Sequence, residues 1–212
     1  MRAGPSIIAC GDDALRILCG EGDIRHSLAQ KLAEDPLWLE IVPGKRDVTV
    51  AFDPHAEQMS QAWARLEAAL VPDIGHDPAA AATHVFTASF GGADGPDLAA
   101  LAARLGLNEN DIIARVEASA LIVDMLGFTP GFAYLGGLDG ALVSERLANP
   151  RTRVAAGSIG LITGQIGLYA LDGPGGWPII GRVLGPLFDR ASPDPFVLRP
   201  GDRVVLQRAP SA

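Results

Sequence analysis

The chain has 212 residues, of which 48% are hydrophobic and 20% charged, and carries a net charge of −8. This is ordinary globular composition for one large domain or two small ones. The acidic balance argues against nucleic acid, which is met by a basic face, and no apolar run reaches the roughly 18 residues that span a bilayer.

The first apolar run, Ser6-Ile-Ile-Ala-Cys10, stops at Asp12-Asp13 and is too short for a signal peptide, so the cytoplasm is the expected location. Cys10 and Cys19 read as small buried thiols in a reducing compartment. Residues 6–9 and 14–19 read as two strands around Gly11-Asp12-Asp13. Asp23 is placed to cap a helix to about Ala33, with Ile24, Leu28, Lys31 and Leu32 near one face. Residues 38–42 and 47–52 read as strands joined by Pro43-Gly44. Asp53-Pro54 then opens a helix to about Leu70, whose Met59, Ala62, Trp63, Leu66, Ala69 and Leu70 fit the helical period. The result is a β–β–α–β–β–α unit. Residues 71–82, rich in Pro, Gly, Asp and then Ala, read as a linker. The expected boundaries are therefore a small α+β domain with linker over 1–82 and a second domain over 83–212.

The second part resumes with a strand at 84–89. Gly95-Pro96-Asp97 starts a helix with Leu98, Leu101, Ala102 and Leu105 on one stripe, and Asn108 caps another with Asp111 three residues on. Residues 120–128 form a strand run interrupted by Asp124, a carboxylate that needs a partner such as arginine if buried. Short strands near 158–163, 167–171, 179–184 and 202–208, each bounded by Gly or Pro, suggest a barrel or sandwich.

Fourteen of the 25 glycines lie between Gly127 and Gly185, in a segment that is also apolar and aromatic. Such a segment reads as short strands with rigid turns rather than as a linker. From Val85 onward there is no Lys, His or Cys. A site built there has no thiol or amine nucleophile, no imidazole base, no His/Cys metal cluster and no Walker lysine. What remains suits anion binding and polarisation of a carbonyl or phosphoryl group. No catalytic residue is assigned. Arg151 and Arg153 alternate in the Pro150-Arg-Thr-Arg153 loop and offer forks for a carboxylate or phosphate, or structural ion pairs. Gln165, after Gly164, is a ligand contact or a turn-stabilising amide. Gly157-Ser158 is an anion nest or an ordinary turn, with Ser158 as the binding residue. Tyr134 keeps a polar tip and is the pocket candidate among the aromatics, whereas Phe128 reads as core. Trp177 floors a pocket, seals an interface or is core. Arg182 pairs with Asp139 or Asp172, or binds substrate. The four histidines show no shared metal-ligand spacing.

At the blocks Phe90-Gly-Gly-Ala-Asp-Gly-Pro-Asp-Leu98, 125–139, 150–167, 174–182 and Pro200-Gly-Asp-Arg-Val204, the chain resembles a known family. It is the family of the 5-oxoprolinase B component, also called allophanate hydrolase subunit 1, and the kinase inhibitor KipI, with a related domain in the carboxyltransferase part of urea carboxylase. The resemblance covers nearly the whole chain. It implies an α+β fold class: a small α+β N-terminal domain followed by a cyclophilin-like β-barrel. It also implies a subunit of an ATP-dependent hydrolase that acts on 5-oxoproline together with co-encoded C and A components, with ATP bound with or by the partner. A KipI-like inhibitor of a sensor histidine kinase is the alternative, and a prolyl isomerase would rest on fold analogy alone. The family pattern has His at Val116, Tyr at Leu121 and Asp124, Pro at Ala155 and Ala170, and Thr at Ile166. These departures lie at groups able to touch a polar substrate, so a paralogue with a changed amide substrate is a further reading.

Overall fold

A computed structural model describes residues 6–19, 24–70 and 81–210. The chain divides into two compact units, residues 1–80 and 81–212.

In the first unit, β1 (Ser6–Cys10), β2 (Ala14–Leu18), β3 (Glu40–Pro43) and β4 (Asp47–Ala51) form an antiparallel sheet in the order β1-β2-β4-β3. The period-2 alternation of β2 and β4 sends Leu15, Ile17, Val48 and Val50 to one face. That face packs on α1 (Ile24–Leu32) and α2 (Met59–Leu70) through Leu28, Leu32, Ala62 and Leu66. The position of Asp23, the expected cap of α1, lies outside the described residues. The buried face of α1 runs through Arg25, His26, Leu28 and Leu32, while Ile24 is exposed. The Arg25 guanidinium donates to the carbonyls of Gly44 and Lys45, so its charged head is satisfied by a turn.

Helix α2 starts at Met59, later than Asp53-Pro54 suggests. Asp53 instead closes a turn, accepting from His55 N–H through its side chain and from Ala56 and Glu57 N–H through its carbonyl. Trp38, read as strand, lies before β3 under the Arg65 guanidinium, 3.6 Å from the ring centroid. Arg65 also holds Asp35 and Glu57. Cys10 and Cys19 are half-buried free thiols rather than buried ones. They lie at opposite ends of the β1–β2 hairpin, where Cys10 faces Ala14 and Ser6 faces Leu18. Most of the expected linker, residues 71–80, lies outside the described residues.

The second unit is a closed seven-stranded barrel. Its strands are β5 (Thr83–Phe90), β6 (Leu121–Leu126), β7 (Ala133–Gly136), β9 (Ser158–Ile162), β10 (Gln165–Leu168), β12 (Ile179–Val183) and β13 (Arg203–Arg208), in the order β10-β7-β6-β13-β5-β12-β9. Only β5 and β13 pair in parallel. Two further strands, β8 (Arg151–Val154) and β11 (Gly173–Gly175), form a separate ribbon. Ala133, Leu135, Ile159, Leu161, Ile166, Leu168, Val204 and Leu206 share one core with α3 (Leu98–Leu105) and α4 (Glu109–Ala118). The fold is therefore α+β with a cyclophilin-like barrel.

The capping box on α4 forms as its sequence implies: Asn108 accepts from Asp111 N–H, and Asp111 accepts from Asn108 N–H. Asp97 behaves differently. It stands at the N-cap of α3 without a side-chain cap bond. The β6 run ends at Leu126, before the turn at Gly127, and a bulge within it between Val123 and Met125 leaves Asp124 half-buried. No helix among the described residues is long and apolar enough to cross a membrane.

Candidate functional site

The glycines of β9 and β10 create the first half of the site. Gly160 and Gly167 are cross-strand partners, and their free face is covered by rings. A Cβ on Gly167 would stand 2.8 Å from Phe132 Cζ and 2.9 Å from Trp177, and one on Gly160 would stand 2.9 Å from Trp177 Cβ. Into this bed Phe132 packs edge-on to Tyr134, Tyr169 and Trp177, with centroids 4.7, 4.9 and 6.1 Å away. Tyr134 and Trp177 are also in edge contact at 5.8 Å. Strand alternation puts Gln165 on the same face as Gly167, which is paired with Tyr134. Gln165 is 8% exposed, and its Nε2 has no hydrogen-bond partner.

Burial pushes the phenols of Tyr134 and Tyr169 up, and the charge of Arg146 opposes that on both. For Tyr169 the Trp177 backbone N–H, donating to the phenol oxygen, and the charge of Arg151 also act downward. Sequence reasoning does not single out Arg146 or Tyr169. The available signal is that Tyr134 and Tyr169 are the only two tyrosines and both lie in the glycine block.

The second half is a hollow of about 200 Å³ lined by Arg151, Arg153, Ser158 and Arg182, with Ala93, Asp94, Pro96, Val154, Ala155 and Ile179. Four of the seven sequence-derived candidates thus meet round one space. Each arginine is set by an aspartate. Arg151 donates to Asp97 at 2.7 Å, and its Nη1 is buried without a partner. Arg153 donates to Asp172 at 2.7 Å and is 79% exposed. Arg182 stands 3.8 Å from Asp94 and donates through Nε to the Ala156 carbonyl. Its ion pair is therefore with neither Asp139, which holds Arg115, nor Asp172, although its charge also acts to lower the Asp172 carboxyl. A second hollow of about 410 Å³ also includes Asp94 and Arg182 in its lining.

Gly157-Ser158 is not a free anion nest. The Gly157 N–H bonds the Tyr169 carbonyl and the Ser158 N–H bonds the Ala155 carbonyl. The anion beside them is internal: Asp172 accepts from the Ala156 N–H at 2.7 Å and from Arg153. Those two bonds, the backbone one foremost, hold its carboxyl below the usual range. Ser158 is buried at 5% exposure.

Tyr134, Gln165 and Trp177 do not line the arginine hollow. The two halves touch through Val154 and Ile179, which line the hollow and pack with Phe132 and Tyr169. Trp177 is 4% exposed, within the ring cluster. Phe128, expected in the core, is instead 61% exposed at φ +69°. The Thr129 N–H bonds the Gly127 carbonyl at 2.9 Å, closing a tight γ-turn that forces this φ and swings the ring outward. Its remaining packing is an edge contact with Phe132 at 5.5 Å.

The family model of the carboxyltransferase domain, subdomain C and D, matches residues 6–198. A relative in Escherichia coli O157:H7, named as the B component of 5-oxoprolinase, is 39% identical over 184 residues, 84% of this chain and 81% of that one. The crystal structure of TTHA0988 superposes with a TM-score of 0.80 at 29% identity, over 94% of this chain and 40% of that chain. The Kluyveromyces lactis urea amidolyase shares the fold, with a TM-score of 0.75 at 18% identity over 97% of this chain and 15% of that one. The chain thus spans less than two thirds of either solved chain. With the match running through both units and the curated relative at this identity, the chain belongs to the family of the carboxyltransferase domain, subdomain C and D, together with the B components of 5-oxoprolinase.

Proposed function

We propose that this chain is a non-autonomous subunit of an ATP-dependent lactam hydrolase of the 5-oxoprolinase type, turning 5-oxoproline into glutamate with separately encoded C and A components. The observation that carries the reading is the chemistry of the arginine hollow. Three guanidinium groups and a buried serine gather there, and its lining holds no Cys, His or Lys. Such a set binds and polarises, and it needs a reacting group from elsewhere. The relatives named as 5-oxoprolinase B components favour the same reading.

The chemistry gives these groups a task. A lactam carbonyl is resonance-stabilised, so the γ-phosphoryl group of ATP is transferred to its oxygen, forming a P–O bond as ADP leaves. Water then adds to the carbon and the ring C–N bond breaks as the nitrogen takes a proton, leaving γ-glutamyl phosphate; a second water hydrolyses that acyl phosphate, releasing phosphate and glutamate. Guanidinium forks suit both the polarised oxygen and the phosphoryl group, and positioning is the main contribution a protein makes to such a transfer. The aspartates of the site hold arginines, so water activation falls to the partner components. The test is 5-oxoproline-dependent ADP release by the purified chain, alone and mixed with its co-encoded C component. Turnover is expected in the mixture only, and a mixture without turnover rules out this substrate.

A further inference from the structure

The geometry points to an oxyanion subsite on the ring-covered face of the barrel, with Arg146 as its charged member and the Tyr134 phenol and Gln165 Nε2 beside it, taking the carboxylate of the cyclic substrate. Only the identity of that substrate as a lactam rests on the proposed function.

Three observations place Arg146. Its loop is fastened at one end to the β9–β10 turn, where Thr163 N–H bonds the Ser144 carbonyl and the Ser144 N–H bonds Thr163 Oγ1. Arg104 holds the same loop through Ser144 Oγ. At the other end the Leu147 N–H bonds the Gly176 carbonyl at 2.7 Å, beside Trp177. Residues 145 and 146 are thus held as a strap between the turn that leads into Gln165 and the glycines that lead into Trp177. The ring cluster of Tyr134, Trp177, Phe132 and Tyr169 lies along the same strands.

The groups gathered here are short of acceptors. Arg146 is exposed and has no carboxylate partner among the described residues, unlike Arg151, Arg153 and Arg182, each of which faces an aspartate. Gln165 Nε2 and Arg151 Nη1 are buried donors without acceptors. A buried donor left unmade is costly, so such a face favours a ligand that brings oxygen lone pairs. Arg151 also ties the subsite to the hollow. Its strand partner is Gly175, and a Cβ there would fall onto Tyr169 Oη.

The test is calorimetric binding to the purified chain, alone and mixed with the C component. Four probes are used: 5-oxoproline, 2-pyrrolidone (the ring without its carboxylate), tetrahydrofuran-2-carboxylate (a carboxylate on a ring without the lactam) and inorganic phosphate. The two carboxylates are expected to bind, and Arg146→Gln to weaken both about tenfold while leaving 2-pyrrolidone unchanged. Arg146→Lys is expected to restore part of the loss. Because Arg146 is exposed, these variants should unfold at the wild-type midpoint. The subsite is overturned if Arg146→Gln leaves carboxylate affinity intact, if phosphate binds and the carboxylates do not, or if neither preparation binds a carboxylate. Carboxylate binding that depends on Arg146 in a mixture without 5-oxoproline turnover supports the subsite and counts against the lactam assignment alone.

Discussion

Asp97 and Arg151 lie 54 residues apart in sequence and share a 2.7 Å ion pair beside the arginine hollow. The same carboxylate accepts the Ile179 N–H at 2.6 Å. Asp97 stands at the N-cap of α3, a position where an aspartate ordinarily bonds its own helix, and its side chain instead reaches across to β8 and β12. One side chain thus joins a helix start, a barrel strand and a candidate binding arginine.

Replacing it is therefore expected to cost more than a lost cap. Asp97→Asn removes the charge opposite Arg151 and should lower stability by about 1.5–3 kcal/mol, the range for a hydrogen bond to a charged group. A urea titration checks it, and an unchanged midpoint would show that the pair contributes nothing.

The Asp97 bridge also shows what was legible in the sequence. The helix starting at Asp97, the Asn108–Asp111 box and the glycine-framed strands all follow from local signals. The seven candidate binding residues read as one undivided set, and that Arg151, Arg153, Ser158 and Arg182 meet round one hollow without Tyr134, Gln165 and Trp177 was not legible, because barrel closure decides it. The partners of those arginines were not legible, because Asp94, Asp97 and Asp172 are brought in by barrel closure rather than by spacing. Phe128 reads as core from its hydrophobicity, and only the γ-turn φ explains its exposure. The strands 133–136, 151–154 and 173–175 are short and rich in glycine or arginine, so period-2 alternation has too few residues to register.

The glycine bed makes a sharper prediction. Gly167→Ala places a methyl group 2.8 Å from Phe132 and 2.9 Å from Trp177, both buried. Overpacking of this kind costs about 1–3 kcal/mol. Chemical denaturation should show that loss, with altered tryptophan emission in the folded state. An alanine variant with native stability and emission would mean that the rings do not rest on this glycine.

Phe128 and Phe132 should respond oppositely despite sharing a ring contact. Phe132 is 2% exposed, and truncation to Ala is expected to cost about 3–5 kcal/mol. Phe128→Gly relieves a positive φ worth roughly 1–2 kcal/mol in a residue with a side chain. Against this it loses an edge contact of about 0.5–1.5 kcal/mol. Its stability should stay within about 1 kcal/mol of wild type. Comparable losses in the two variants, measured by denaturation, would contradict this account of the turn.

Asp172 supplies a pH test. Its carboxyl titrates below the ordinary value because the Ala156 N–H and then Arg153 favour the ionised form. A depressed folded-state pKa stabilises the fold above the unfolded value, about 3.9, and that contribution disappears as pH falls through the folded-state pKa. Carboxyl NMR titration should show the Asp172 pKa rising in Arg153→Gln yet remaining below the ordinary range, since the backbone bond persists. No change in that variant would mean that the exposed guanidinium does not act on Asp172.

The most direct measurement of the central claim, that the arginine hollow forms the substrate half-site, is 5-oxoproline-dependent ADP release by the chain reconstituted with the C component and carrying Arg151→Gln or Arg208→Gln. Arg208 bonds Asn110 away from the hollow and serves as the control. The account predicts at least a roughly tenfold fall in kcat/KM for Arg151→Gln, about 1.4 kcal/mol of transition-state stabilisation, and wild-type turnover for Arg208→Gln. A folded Arg151→Gln protein with undiminished turnover would contradict it.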